Sequence, residues 1–199
     1  MGGRRAVVSR KTRETDIELE LNLDGQGNVE VDTGIPFFDH MLSMVGKHGL
    51  MDLKIKAEGD LEIDGHHTVE DVGICFGQAL NQAIGDKKGI RRYGSSLMPM
   101  DESLALVAMD ISGRPYLVYD VDLPVETIGS YDTALTVEFL QALVSTSGIT
   151  LHIKMLAGRN AHHMVEGIFK GLARALGEAV EINPRATGII PSTKGLLEG

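Results

Sequence analysis

Cysteine occurs once in the 199 residues, as Cys75, and tryptophan does not occur. A single thiol excludes a disulfide framework and any paired-cysteine metal or redox motif. It points to a reducing, cytoplasmic setting. Aromatic residues make up only 5% of the chain, too few for a surface that stacks bases or sugars. Basic residues are outnumbered 19 to 28, giving a formal net charge of −9 and a pI near 5.2. That balance argues against a general nucleic-acid binder while leaving room for a local anion site. The longest apolar run is Leu104 to Met109, far short of the roughly 20 residues that span a bilayer. The N-terminus is basic and polar with no apolar stretch behind it, so it does not read as a secretory signal. Gly2 stands where a myristoylation signal begins, but Ala6 occupies the place of the required hydroxyl residue. What is present is 43% hydrophobic, enough for a core and against wholesale disorder.

The seven histidines are not scattered: four form adjacent pairs, His66-His67 and His162-His163. Laying residues 66–84 on 162–180 gives identity at seven of 19 positions, including Val69 with Val165 and Glu70 with Glu166. Further upstream the halves align at an offset of 88, which sets Glu14 on Glu102, Gly25 on Gly113 and Asp32 on Asp120. Two copies of about 90 residues indicate a duplicated half-domain rather than a solenoid. The expectation is one fused domain over 1–199, with halves at about 1–90 and 91–185 and a tail from 186 to 199.

Each half reads alike. Residues 16–23 alternate polar and apolar as a half-buried strand. Asp24 to Gly27 is a turn, and Asn28 to Asp32 returns as a second strand in a hairpin. Pro36 opens a helix. Residues 51–57 alternate again, and a helix runs from about Thr68 to Ile84, stopped by Gly85. The second half repeats this with strands near 104–111 and 116–122, a helix over 133–146, a strand over 149–155 and a helix over 162–180. Residues 85–100 read as a connection rich in glycine and basic residues. The order ββαβα, twice, is an α+β pattern with helices packed on one face of mixed β-sheets.

Each closing helix opens with His-His-x-x-Glu. On a helix, the second histidine and the glutamate are i, i+3 neighbours and the first is i, i+4. Adjacent histidines diverge by about 100°, so one turn can feed two ions, or an ion and a substrate. Imidazole with carboxylate suits Mn, Fe, Zn or Ni. One such motif could be a capping pair; two at equivalent places of a duplication point to ligands. His40, on the helix before the first pair, and His152, mid-strand before the second, complete a set of six histidines with Glu70 and Glu166. Two sites of three imidazoles and one carboxylate would each keep positions open for substrate. His48 reads as a ligand, a proton-transfer group or a histidine favoured by a helix C-terminus.

Five stretches now carry a resemblance: Phe37 to Gly49 (FFDHMLSMVGKHG), Asp64 to Ile74 (DGHHTVEDVGI), Pro99 to Leu104 (PMDESL), Gly158 to Ala175 (GRNAHHMVEGIFKGLARA) and Pro191 to Gly195 (PSTKG). Nearly the whole chain resembles the imidazoleglycerol-phosphate dehydratase family of histidine biosynthesis. The resemblance implies a duplicated fold akin to ribosomal protein S5 domain 2. It also implies two Mn²⁺ per active site and a 24-subunit assembly built from trimers, with sites between subunits. The metal ligands would be His40, His66, His67, Glu70, His152, His162, His163 and Glu166. The implied substrate is a small phosphorylated imidazole, with no nucleic-acid or membrane partner. The implied reaction removes water from imidazoleglycerol phosphate to give imidazoleacetol phosphate, through a metal-bound imidazolate and a diazafulvene-like intermediate. Glu14 and His48 are the candidate proton-transfer residues, and with His40 they would contact substrate. Arg92, Arg114, Lys170, Ser192, Thr193 and Lys194 resemble the family's phosphate contacts. Asp64, Asp71, Asp101 and Glu102 read as supporting or capping acids. A dinuclear phosphoester hydrolase is the enzymatic rival, although such sites are usually richer in aspartate. A metal-storage or nucleic-acid module is the non-catalytic one, and the −9 charge opposes its second form.

Overall fold

The computed structural model describes residues 3–197; Met1, Gly2, Glu198 and Gly199 lie outside the described residues. The first half contains β1 (Arg5–Lys11), β2 (Thr15–Asn22), β3 (Val29–Asp32), α1 (Pro36–Gly49), β4 (Asp52–Gly59) and α2 (His66–Ile84). The second contains β5 (Tyr93–Met100), β6 (Ser103–Asp110) and β7 (Tyr116–Asp120), a short hairpin of β8 (Thr127–Ile128) and β9 (Tyr131–Asp132), α3 (Leu135–Ser147), β10 (Thr150–Ala157) and α4 (Ala161–Val180). The two main sheets have the same order, β1-β2-β4-β3 and β5-β6-β10-β7. Among the described residues no helix is long and apolar enough to cross a membrane.

The helices lie between the sheets. Helices α1 and α2 pack on the first sheet, α4 on the second, and the two halves meet through α2 against α3 and α1 against α4. Local sequence accounts for the helix ends. Pro36 sits in the first turn of α1, where its missing N–H costs nothing. Leu50, at φ 55°, closes that helix by donating its N–H to Gly46 O. Asn160 caps α4 by accepting the His162 N–H, and Asp64 Oδ1 accepts the His66 N–H at 2.8 Å at the start of α2.

Phe139 of α3 is the hub of the core. Its ring lies 5.3 Å from Phe38 of α1, 6.4 Å from Phe76 of α2 and 5.5 Å from Phe169 of α4, centroid to centroid. Helix α2 approaches α3 through Gly73 and Gly77. A Cβ at Gly73 would stand 2.7 Å from Phe139 O, and one at Gly77 would stand 2.5 Å from Leu143 O. Glycine is used there because the facing backbone leaves no room for a side chain.

The structure corrects the sequence reading in three places. Each half has a further leading strand, β1 or β5, so the unit is βββαβα. Strand β1 turns only Ala6 and Val8 inward, too short an alternation to register against three basic residues. Strand β5 lies in the stretch read as a connection. It carries Gly94 because α4 crosses directly above it, and it tolerates Pro99 because it is an edge strand. The expected hairpin of β2 and β3 does not form. Strand β4 lies between them, antiparallel to β2 and parallel to β3. The loop between β2 and β3 is instead gathered by Asp52. That carboxylate accepts the N–H groups of Gln26 and Asn28 and the side-chain amides of Asn22 and Asn28, which holds its pKa down at about 2.

Candidate active site

Helices α1 and α4 run in the same direction along one seam. At its start, His162 Nε2 lies 3.1 Å and His40 Nε2 lies 3.7 Å from Glu166 Oε2. The donor atoms of these three residues lie within 4.8 Å of one another, and among the described residues no other three such side chains converge so closely. The rings of Phe37 and His162 meet in a T-shaped contact, 5.1 Å between centroids. Glu166 is buried, and burial alone would raise its pKa. Lys170 Nζ at 2.6 Å from Oε1, with His162 and His40, outweighs that and holds the carboxyl below its ordinary range.

One to two turns further on, the seam becomes cationic. His48, in the last turn of α1, lies among Lys170 and Arg174 of α4. Burial first, then those two charges, keeps His48 below the usual histidine value. His48 and Arg174 open into a groove of about 920 Å³ that also takes in Arg4, Arg91 and Glu178. Lys170, expected among the phosphate contacts, therefore belongs to the α1–α4 seam and carries an ion pair to Glu166. Its i, i+4 spacing from Glu166 decides this.

The paired histidines diverge as their helical spacing requires. The rings of His66 and His67 lie 6.0 Å apart at 85°, and those of His162 and His163 lie 6.2 Å apart at 83°. The second member of each pair is held at Nδ1 by a carboxylate. Asp60 holds His67 at 3.0 Å and Glu102 holds His163 at 2.8 Å, with Asp101 3.8 Å from His163 Nε2. Those hydrogen bonds raise both histidine pKa values above the ordinary one and push Glu102 far below the carboxylate range. Asp60 escaped the sequence reading. Its place just after a strand, seven residues before His67, was the signal available. Asp71, read as a supporting acid, binds Arg10 and Thr15 instead.

Glu14 sits in the β1–β2 turn with an exposed side chain, close enough to add its charge to that of Asp60 on His67. Glu70 shares the first turns of α2 with His66 and His67. His152 does not join its sequence neighbours His162 and His163. Its flanking residues Leu151 and Ile153 are buried against the helices, so strand alternation turns His152 to the exposed face of the second sheet, beside Ala108 and Val118.

Arg92, Arg114 and the tail form a second cationic group. Asp110 accepts a bidentate pair from Arg92 at 2.7 and 3.0 Å and lies 3.9 Å from Arg114. Arg92 also donates to Pro191 O at 2.9 Å, which fixes the start of the Ser192-Thr193-Lys194 loop. Lys87 donates to Leu197 O and Leu197 is buried, so the tail is pinned beyond that loop as well. This group stands at the Tyr93–Asp110 end of the β5–β6 hairpin, whereas Glu102 and His163 stand at the Met100–Ser103 end. Seven residues of strand separate the two ends, about 23 Å.

Fold and side chains together define a duplicated α+β protein whose helix seam carries an imidazole–carboxylate cluster and a neighbouring cationic end. The imidazoleglycerol-phosphate dehydratase family model matches residues 33–176. The chain is 59% identical over 194 residues to the imidazoleglycerol-phosphate dehydratase of Moorella thermoacetica, covering 98% of each chain. It is 60% identical over 190 residues to that of Symbiobacterium thermophilum, covering 96% of this chain and 91% of the relative. The crystal structure of the Staphylococcus aureus imidazoleglycerol-phosphate dehydratase matches with a TM-score of 0.82 at 40% identity, covering 90% of this chain and 99% of that one. That of the Pyrococcus furiosus protein, in complex with (S)-C348, also gives 0.82, at 38% identity, covering 96% of this chain and all of that one. The chain belongs to the imidazoleglycerol-phosphate dehydratase family. It is a hydro-lyase that carries out a dehydration in histidine biosynthesis.

Proposed function

We propose that this chain removes water from D-erythro-imidazoleglycerol phosphate to give imidazoleacetol phosphate, in the cytoplasm, using two Mn²⁺ ions per active site. The observation that carries the reading is the α1–α4 seam. It runs from the donors His40, His162 and Glu166, past Lys170, to Arg174 and the neighbouring His48, about 12 Å along α4. An imidazole ring joined to a phosphate through three carbons spans about 10 Å by ordinary bond lengths. One seam thus offers a metal-type end and an anion end at the spacing of one such molecule.

The donor set suits manganese: neutral imidazoles with a carboxylate and no thiolate. His40, His162 and Glu166 would hold one ion, while His66, His67, Glu70, His163 and His152 supply the remaining donors. When bound, the ions supply Lewis acidity that draws electron density from the substrate ring. The chain does the rest. Arg174 faces the phosphate with His48 beside it for proton transfer, Lys170 balances the charge of Glu166, Glu14 takes or returns the proton on the side-chain carbons, and the half-buried ring of Phe37 limits water at the substrate ring.

The separation within one chain favours assembly. Arg92, Arg114 and Ser192 to Lys194 stand about 23 Å along the hairpin from the end that holds His163, more than one substrate can bridge. A neighbouring copy would add its own such group, and its outward His152, to the end of the site that one chain leaves open. This supports active sites between subunits; the assembly of 24 built from trimers is the one the family resemblance implies.

The test is to strip the protein of metal and assay imidazoleglycerol phosphate with Mn²⁺ restored in steps, following free phosphate in parallel. Turnover that returns and saturates near two ions per subunit, without phosphate release, supports the reading. Phosphate release would favour a hydrolase, and no turnover with any divalent ion would reject the proposal.

A further inference from the structure

Glu14 and Glu102 occupy the same place in the duplication, the turns β1–β2 and β5–β6, yet their carboxylates are used differently. Glu102 is fully engaged. Its Oε2 lies 2.8 Å from His163 Nδ1, and its Oε1 accepts the N–H groups of Arg159 and Asn160 and the Ser103 hydroxyl. Among the described residues, no hydrogen bond or ion pair reaches the Glu14 carboxylate. The equivalent histidine of the first half, His67, is held instead by both oxygens of Asp60, at 3.0 and 3.2 Å.

The connections before the two helices explain the exchange. Residues 60–65 join β4 to α2, whereas only 158–160 join β10 to α4. The longer connection carries Asp60; the shorter one, Gly158-Arg159-Asn160, has no acid. Asp60 is fixed in turn. Its N–H donates to Glu14 O at 3.1 Å, its own carbonyl accepts the Ile63 N–H, and its side chain is only 13% exposed. It reaches His67 from the strand side, so Glu14 is not needed there.

We propose that Asp60 is the positioning residue for His67, doing in the first half what Glu102 does in the second, and that this exchange frees the Glu14 carboxylate to face substrate. The metal and substrate parts of this inference rest on the function proposed above. A carboxylate on Nδ1 selects the Nδ1–H tautomer, orients the ring and leaves the Nε2 lone pair outward for an ion. Asp60 itself touches neither ion nor substrate. Two halves that began alike would then have parted roles: Glu102 orients a ligand, and Glu14 moves a proton.

The test measures Mn²⁺ binding and turnover separately, on the intact assembled protein, for Asp60→Ala, Asp60→Asn, Glu102→Gln and Glu14→Gln. Equilibrium dialysis of metal-stripped protein gives affinity and stoichiometry, and the melting of the metal-free protein reports folding. Asp60→Ala is expected to weaken one of the two ions by about 10- to 100-fold. Asp60→Asn, whose amide oxygen can still accept from Nδ1–H, is expected to weaken it less. Glu102→Gln should weaken the other ion. Glu14→Gln should bind both ions as the parent does while losing turnover. Parent affinity for both ions in a folded Asp60→Ala protein would overturn the assignment of Asp60. If Asp60→Ala does not fold, parent affinity and turnover in Asp60→Asn together with parent affinity in Glu102→Gln would overturn it. Loss of an ion in Glu14→Gln would overturn the division of roles. Failure of the parent to dehydrate imidazoleglycerol phosphate would instead reject the proposed function, leaving the Asp60 binding result to stand by itself.

Discussion

Replacing Glu166 by glutamine keeps its shape and removes its charge, which isolates what that carboxylate does. In the metal-free protein it is buried, with Lys170 at 2.6 Å, His162 at 3.1 Å and His40 at 3.7 Å. The amide oxygen can still accept from Lys170, but as a neutral partner. A charge-assisted hydrogen bond of about 1.5–3 kcal/mol falls to about 1 kcal/mol. Lys170 is 19% exposed on its side chain and keeps part of its hydration, so we expect about 1–2 kcal/mol of lost stability rather than the 3–5 kcal/mol of a fully buried broken pair. The larger effect is on the metal-dependent increment. An ion at 100 times its dissociation constant stabilises the folded state by about 2.7 kcal/mol. With the only anionic donor of the His40–His162 group gone, that ion's increment should disappear at the same Mn²⁺ concentration. Urea unfolding in chelator and in excess Mn²⁺, at fixed protein concentration, reads both quantities. A Glu166→Gln protein that gains as much from Mn²⁺ as its parent would refute the place of Glu166 among the ligands.

Removing the metal should also give stability a characteristic pH dependence. His67 and His163 have raised folded-state pKa values, so the stability they contribute is complete below the unfolded value of about 6.5 and is lost as pH rises through the folded values. Glu102, depressed in the folded state, contributes above its unfolded value of about 4.3 and fails as pH falls. The metal-free protein should therefore melt highest between those limits and lower toward pH 8. The Mn²⁺-loaded protein should gain over that same rise, because ligation needs neutral imidazole; melting curves with chelator and with Mn²⁺ check this. In the core, Phe139→Ala should cost about 3–5 kcal/mol, read by urea unfolding, because three aromatic rings from three other helices lose their common partner. Arg92→Met should raise KM more than it lowers kcat, by losing both a cation and the anchor at Pro191, and Lys194→Ala should raise KM through the charge alone.

The legible parts of this protein were those carried by neighbours in sequence. The His-His-x-x-Glu helices and the duplication rest on short spacings, and the structure begins α2 and α4 at His66 and Ala161, within two residues of the expected starts at about Thr68 and at 162. Strands β2, β4, β6 and β10 were visible because each buries a clean alternating face. Strands β1 and β5 were not, since edge strands with few inward apolar residues owe their state to the strand beside them. The parallel pairing of β3 with β4 depends on α1 crossing over, which no local turn signal records.

The site divides in the same way. Sequence by itself determined that histidine and glutamate come in two matched sets, because helical spacing fixes which side chains share a turn. Only the tertiary structure decided that His40 joins His162 and Glu166, since α1 and α4 come from different halves and meet through their packing. It also decided that His152 faces outward, that Lys170 neutralises Glu166, and that Asp60 rather than Glu14 supports His67. Those outcomes depend on which element lies over which, and that follows from burying the apolar faces of both halves against each other.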